Sequence, residues 1–381
     1  MQRPSNKQFP WLLLIYLLGT IFILTACSTP ATPTPSPTTE CPEVTCPKPI
    51  AYEDLWADSA HADQKAEAFR HWDEDDPQEI PAECAQCHSR PGFIDFLGLD
   101  DTKIGSVENT AAVGTTVTCY VCHNEAALIL ESVVFPSGAR IGGLGPEARC
   151  IACHRGRAST DLVDDAISEI ELTSDDSPNS ELEFLNSHSI SGATPFGADV
   201  QGAYQYTGKT YQGRFVRGEE FFDCLRCHDQ HSLELKIETC GECHTFDGTE
   251  PKEIRVDTTD FDGDGNMEEG IAFEIEAIQE YLLAELESYA INVTDTQLVY
   301  AADIYPYFFI DINSDGIANA DEAISENRFN AWTARLLRAA YNYNYVLHDP
   351  GAYAHNSDYT LQILYDSLED IGGDVTGLAR P

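Results

Sequence analysis

The chain has 381 residues, 43% of them hydrophobic, which is enough to bury a sizeable core and excludes an extended disordered coil or a disulfide-held miniprotein. Its 64 acidic against 22 basic side chains give a net charge of -42, a field that repels phosphate backbones and anionic headgroups and excludes nucleic acid as a partner. Thirteen cysteines in a chain of this size point to an oxidising compartment or to bound metals or cofactors.

Residues 1–26 begin with a basic stretch holding Arg3 and Lys7 and continue as an apolar run, WLLLIYLLGTIFILTA, the pattern of a signal peptide. The segment Leu24-Thr25-Ala26-Cys27 resembles the lipobox of bacterial lipoproteins, which implies lipidation at Cys27 and a mature chain starting there. Ser28, where an inner-membrane lipoprotein often carries aspartate, favours the outer membrane or cell surface. The expected location is therefore extracytoplasmic, with the membrane met through a lipid anchor. Residues 27–50 form the lipid anchor and linker, of which residues 28–39, STPATPTPSPTT, are a proline- and threonine-rich spacer that stays extended and hydrated. Cys41 and Cys46 follow without a histidine, and a local disulfide is the expected use.

Residues 51–250 hold five copies of one motif: Cys84-Ala-Gln-Cys87-His88, Cys119-Tyr-Val-Cys122-His123, Cys150-Ile-Ala-Cys153-His154, Cys224-Leu-Arg-Cys227-His228 and Cys240-Gly-Glu-Cys243-His244. C-x-x-C-H is the attachment unit of haem c. Two thiols separated by two residues can add to both vinyl groups of a porphyrin, and the following histidine lies under the iron as proximal ligand. Zinc also uses C-x-x-C pairs but needs two per closed site, and here the number of pairs is odd and each is followed by histidine. Five haem c groups are expected. Motif starts are spaced by 35, 31, 74 and 16 residues, so the irons must lie close together.

Eleven histidines are present, five of them in the motifs. His61, His71, His188, His231 and His355 are the distal candidates, and His348, just before the Asp349-Pro350-Gly351 turn, is the expected spare. His231, three residues after His228, is too close to ligate the same iron and is expected to turn onto a neighbouring haem. Bis-histidine ligation at all five irons is arithmetically available. The only methionines are Met1 and Met267, so at most one iron can have the His/Met pair that raises potential.

Residues 251–381 contain no further motif and become helical in pattern, with Ile271, Ile275, Ile278, Leu282 and Leu286 on one stripe and Phe329, Trp332, Leu336, Ala340 and Tyr343 on another. Two or three helices are expected, packing on the haem core. Before each stripe sits an acidic loop that resembles the calcium loop of EF-hands. One offers Asp311, Asn313, Asp315, the Ile317 carbonyl and Glu322; the other offers Asp260, Asp262, Asp264 and Asn266, with Glu268 or Glu269 needed to complete it. Calcium is expected there, as a fixed structural ion.

With the five motifs, DPGAYAHN and the paired acidic loops, the region from about residue 55 to the end resembles bacterial multihaem cytochromes c of the extracytoplasmic respiratory type. The resemblance implies a fold that is mainly α and irregular, a multihaem core with a helical C-terminal region. It also implies electron transfer between respiratory partners, to another redox protein or an extracellular acceptor, by a carrier rather than an enzyme, with no catalytic residues. Two other functions compete. Pentahaem reductases of small nitrogen or sulfur oxyanions typically carry a C-x-x-C-K motif, absent here. Cytochromes that self-assemble into filaments are the other, though a lipid anchor argues against that role.

Overall fold

Two cysteines three residues apart share one face of a helical turn, and a histidine at the next position falls four residues after the first thiol. The motifs fold accordingly in the computed structural model, which describes residues 50–218, 223–245 and 250–381. The leader, Cys27, the linker and the Cys41/Cys46 pair lie outside the described residues. Four motifs sit on short helices or end just beyond them: α1 (Ala82–His88), α3 (Cys119–Cys122), α4 (Ala148–His154) and α6 (Cys224–Cys227), while the fifth begins in the 3₁₀ turn Ile237–Glu242. Between them lie α2 (Arg90–Phe96), which follows α1, and α5 (Thr160–Ser168), which follows α4.

Local chemistry sets several of these boundaries. Ser89 caps α2 by accepting from Gly92 N at 2.9 Å, and Asp223 caps α6 by accepting from Arg226 N at 2.9 Å. Gly92 lets α2 press against α1, because a Cβ there would fall 2.1 Å from the Ala85 carbonyl oxygen. Three small antiparallel ladders pin the irregular chain: Glu79–Ile80 with Ala111–Ala112, Ser132–Val134 with Arg140–Gly142, and Leu298–Tyr300 with Phe308–Ile310.

The C-terminal third supplies the large helices α7 (Ile271–Thr294), α8 (Ala334–Leu347) and α9 (Ala352–Ile371), which pack on one another. Ile275, Ile278, Leu282 and Leu286 of α7 are buried against Leu336, Leu337, Leu364 and Leu368 of α8 and α9. The same apolar cluster runs into the motif region through Phe93, Val121, Ile151 and Phe196, and residues 50–381 form one compact unit. Phe329 and Trp332 are buried but precede the helix their spacing suggests: Thr333 Oγ1 accepts from Leu336 N at 3.1 Å and starts α8 after them, and Trp332 instead bridges Asn179. α9 bends at Asn356, whose Nδ2 donates to Gly213 O at 3.0 Å.

The acidic loops are not flanked as in a helix–loop–helix. The first leads directly into α7, but the second follows the strand Phe308–Ile310 and runs into the 3₁₀ turn Ser325–Asn327. Among the described residues no helix is long and apolar enough to cross a membrane.

Candidate haem-binding site

Four motif histidines each face a second histidine brought from a distant segment. His88 Nε2 lies 3.3 Å from His188 Nε2, with ring centres 5.6 Å apart. The ring centres of His154 and His61 are 6.3 Å apart, those of His123 and His231 are 6.2 Å apart with planes 5° from parallel, and those of His228 and His355 are 6.4 Å apart. Two metal–nitrogen bonds of about 2 Å, plus about 1.1 Å from each Nε2 to its ring centre, would set the centres of two collinear imidazole ligands about 6.3 Å apart. Three pairs match that spacing, and the His88/His188 nitrogens must part by about 0.7 Å to admit a metal.

The second ring nitrogens are occupied in the way a ligand histidine requires. His88 Nδ1 is 2.6 Å from Ala68 O and His355 Nδ1 is 2.8 Å from both Asp349 oxygens. A carbonyl or carboxylate can only accept, so these rings carry the proton on Nδ1 and keep the Nε2 lone pair free. His154 Nδ1 meets Ser189 Oγ at 2.9 Å. Burial pulls His154 down to about 4, helped by His61 and His228, and pulls His188 to about 4, helped by His88 and Arg157. Burial likewise lowers His61, His88 and His228, so these imidazoles are neutral, the form that binds metal. Burial would raise Asp349, but the His355 ring holds it below the usual carboxylate range.

Backbone geometry aims the distal rings. His188 has φ 63°, the left-handed region that a side chain rarely adopts, and its N–H donates to Asn186 Oδ1 at 2.8 Å. One loop thereby serves two sites: His188 reaches His88, while Ser189 supports His154 and Gly192 N donates to His154 O at 2.8 Å. His61 is anchored through its own carbonyl, which accepts from Val117 N at 3.1 Å, and through Trp56 Nε1, which donates to Val117 O at 2.8 Å. Tyr52 lies flat on His231, 4.5 Å between centres. Gly351 leaves room for His355, since a Cβ there would meet its Cε1 at 2.8 Å.

The attachment segments touch one another. Gln86 Nε2 of the first donates to Ala152 O of the third at 2.8 Å, and Arg149 Nη1, beside the third, donates to Cys122 O of the second at 2.9 Å. Glu147, just before the third, accepts from Cys224 N of the fourth at 3.3 Å, and Arg226 of the fourth pairs with Glu242 of the fifth at 3.2 Å. The third motif is therefore a hub joined to the first, second and fourth, with the fifth at the end of one arm. All ten motif cysteines are free thiols, as thioether formation needs. Residue types, spacing, tautomers and facing imidazoles thus fit haem c, with Cys84, Cys87, Cys119, Cys122, Cys150, Cys153, Cys224, Cys227, Cys240 and Cys243 as attachment points.

Two histidines take no such position. His71, whose side chain is 57% exposed, bonds Glu67 at 3.0 Å and packs edge-on to Trp72. His348 Nδ1 meets Ser187 Oγ at 3.2 Å, and its ring packs edge-on to Tyr307. The sequence pattern gave no sign of the supporting groups Asp349, Ser189, Asn186 and the Ala68 carbonyl; Asp349 reads there only as part of a turn.

Both acidic loops gather carboxylates. Asp311, Asp315 and Glu322 converge, with Asp311 and Glu322 buried; Asp311 accepts from Ser314 N at 2.6 Å and Gly316 N at 2.9 Å, and Glu322 accepts from Ile312 N at 2.9 Å. Asn313 and Asp315 curl the loop by accepting from Asp315 N at 2.8 Å and Ile317 N at 2.9 Å. In the first loop Asp262 and Asp264 meet Glu269, while Asp260 and Asp262 also meet Glu274, a residue with no place in the sequence pattern. Glu274 is buried and paired with Arg255, whereas Glu269 Oε1 is buried without a hydrogen-bond partner. Asn266 Oδ1 accepts from Glu268 N at 3.1 Å.

Comparison with known proteins points the same way as the motifs. The sequence is 26% identical over 370 residues to the C-type polyheme cytochrome OmcC of Geobacter sulfurreducens, covering 81% of this chain and 45% of that relative. It is 25% identical over 348 residues to the C-type polyheme cytochrome OmcB of two strains of the same organism, covering 76% of this chain and 44% of the relative. The chain thus spans less than half the length of these curated relatives. No family model and no solved structure matches it.

Proposed function

We propose that this chain is an extracytoplasmic electron carrier that binds five haem c groups, four of them closed on both axial sides by imidazole. The observation that carries this reading is the alignment of His88/His188, His123/His231, His154/His61 and His228/His355 beside four separate C-x-x-C-H turns. Bound haem supplies one-electron iron chemistry. The chain's residues supply the rest. Thiols fix each porphyrin edge, paired imidazoles shut out competing ligands, and Asp349 puts a buried negative charge behind His355 that favours the oxidised iron and so a low potential. Contacts between the first, second and fourth segments and the third set the sites near enough for a relay.

The partners that fit are other redox proteins or an extracellular acceptor, met by a protein tethered through Cys27. Calcium at Asp311, Asn313, Asp315, Ile317 and Glu322, and at the Asp260–Glu269 loop, would hold α7 and α8 against the motif region. Mass spectrometry of protein from a cytochrome-maturing host tests the cofactor count: five added haems are expected. Fewer than five, or an electron paramagnetic spectrum dominated by high-spin iron, overturns the carrier reading.

A further inference from the structure

All eleven histidines of the chain lie among the described residues. Eight form the four facing pairs, and the fifth motif's His244 has no histidine opposite it. The two left over are held elsewhere. His71 packs on Trp72, which itself packs edge-on to His88, and His348 is bonded to Ser187, next to His188. Both therefore stand beside the first site, whose axial positions are already taken. The fifth segment is bonded to the fourth, through Arg226–Glu242 at 3.2 Å and Lys236 N to Cys227 O at 2.8 Å, so three successive junctions separate it from the first. The one methionine past the leader, Met267, lies on the first acidic loop and is 55% exposed.

The surroundings of this terminal site are open, as they also are at Cys119, Tyr120 and His123 of the second motif. Gly241, Glu242, Cys243 and Thr245 are exposed, so solvent reaches the segment. Arg217, stacked over Phe215 at 4.7 Å, lies within electrostatic range of Cys240 and Tyr353, and Lys252 is likewise near Tyr353. Lys252 is paired with Glu276, so Arg217 is the cation beside the attachment segment, in a chain of net charge -42.

We infer that the fifth site gives its iron a single protein imidazole, His244, and leaves the sixth coordination position exchangeable, open to a small lone-pair donor and favouring an anion. This rests on the multihaem reading above. It makes the end of the arm a port at which a small molecule can meet the relay directly, whereas the other four sites are closed to one.

The test uses the full-length holoprotein, with haem number fixed first by mass. Carbon monoxide titrated into the reduced protein, and azide into the oxidised protein, should each saturate at one equivalent per five haems, and the Cys240→Ala/Cys243→Ala variant should carry four haems and lose that equivalent. Added imidazole should convert one high-spin iron of the unmodified protein to low-spin, a readout that needs no variant. Arg217→Ala should weaken azide several-fold and leave carbon monoxide unchanged. Five haems with no ligand uptake and no high-spin signal would overturn the open position while leaving the carrier reading intact. Uptake surviving in the four-haem variant would overturn the assignment to His244. Fewer than five haems in the unmodified protein would instead overturn the reading beneath it.

Discussion

Replacing Asp349 with asparagine removes one negative charge from behind His355 while keeping an oxygen to accept the Nδ1 proton. The carboxylate is wholly buried and lies 2.8 Å from Nδ1, so the charge is little screened by solvent. Crossing the imidazole and one metal–nitrogen bond puts that charge about 7 Å from a metal on Nε2. At an effective dielectric of about 20, a unit charge at about 7 Å is worth about 2.4 kcal/mol in favour of the oxidised, more positive iron. For a one-electron couple this corresponds to about 100 mV. Some water reaches His355, which is 24% exposed, so the expected rise on Asp349→Asn is about 50 to 100 mV at one site of five. A spectroelectrochemical titration of variant and parent reads it as one component displaced upward. An unchanged or lowered potential envelope, with five haems and low-spin ligation retained, refutes the assignment of Asp349 and His355 to an iron site.

The axial pairs predict a set of single variants: His61→Ala, His188→Ala and His231→Ala should each add one further carbon monoxide equivalent and one high-spin signal, whereas His71→Ala should add none. Calcium is tested by calorimetry and thermal unfolding. Chelation should lower the melting temperature, calcium at about 100 times its dissociation constant should restore about 2.7 kcal/mol per site, and Glu322→Gln should lose one bound ion. Leu282→Ala, at a fully buried position on α7, should cost about 3 kcal/mol in denaturant unfolding and leave the haem count at five, because the cavity opens inside the helical third.

Attachment cysteines and proximal histidines are legible because the chemistry demands them within five consecutive residues. The distal partners are not, since any of six histidines serves equally until the chain is folded. His231 is the exception: its place just after His228 forbids the same iron, and its ring is found opposite His123. His71 reads as a ligand from its position before the first motif, yet Glu67, one turn earlier, holds it at the surface. The α7 stripe gives its helix directly, while Trp332 continues the α8 stripe without being helical, because a threonine cap outweighs periodicity at a helix start. Asp349, Ser189 and Asn186 were hidden for a different reason: polar residues in loops look alike until an imidazole is placed beside them.

The axial pairs also bear on how the chain folds. His88 and His188 are 100 residues apart, and the other three pairs likewise join a motif to a remote segment. Each haem bound between a facing pair would therefore close a long loop, a step whose entropic cost grows only slowly with length and which metal coordination can offset. Without that closure the motif region has short helices and two- or three-residue strands, too little regular structure to hold itself together. The bundle of α7, α8 and α9 is built differently, from long helices with their own buried leucines, and its apolar cluster continues into the motif region through Phe93, Val121, Ile151 and Phe196. On the proposed reading, haem attachment and folding of residues 51–250 would be coupled, with the C-terminal third as the surface on which this takes place. His355 is the one facing histidine that the bundle itself contributes, and it lies opposite His228, whose segment is bonded to the one that ends at His244.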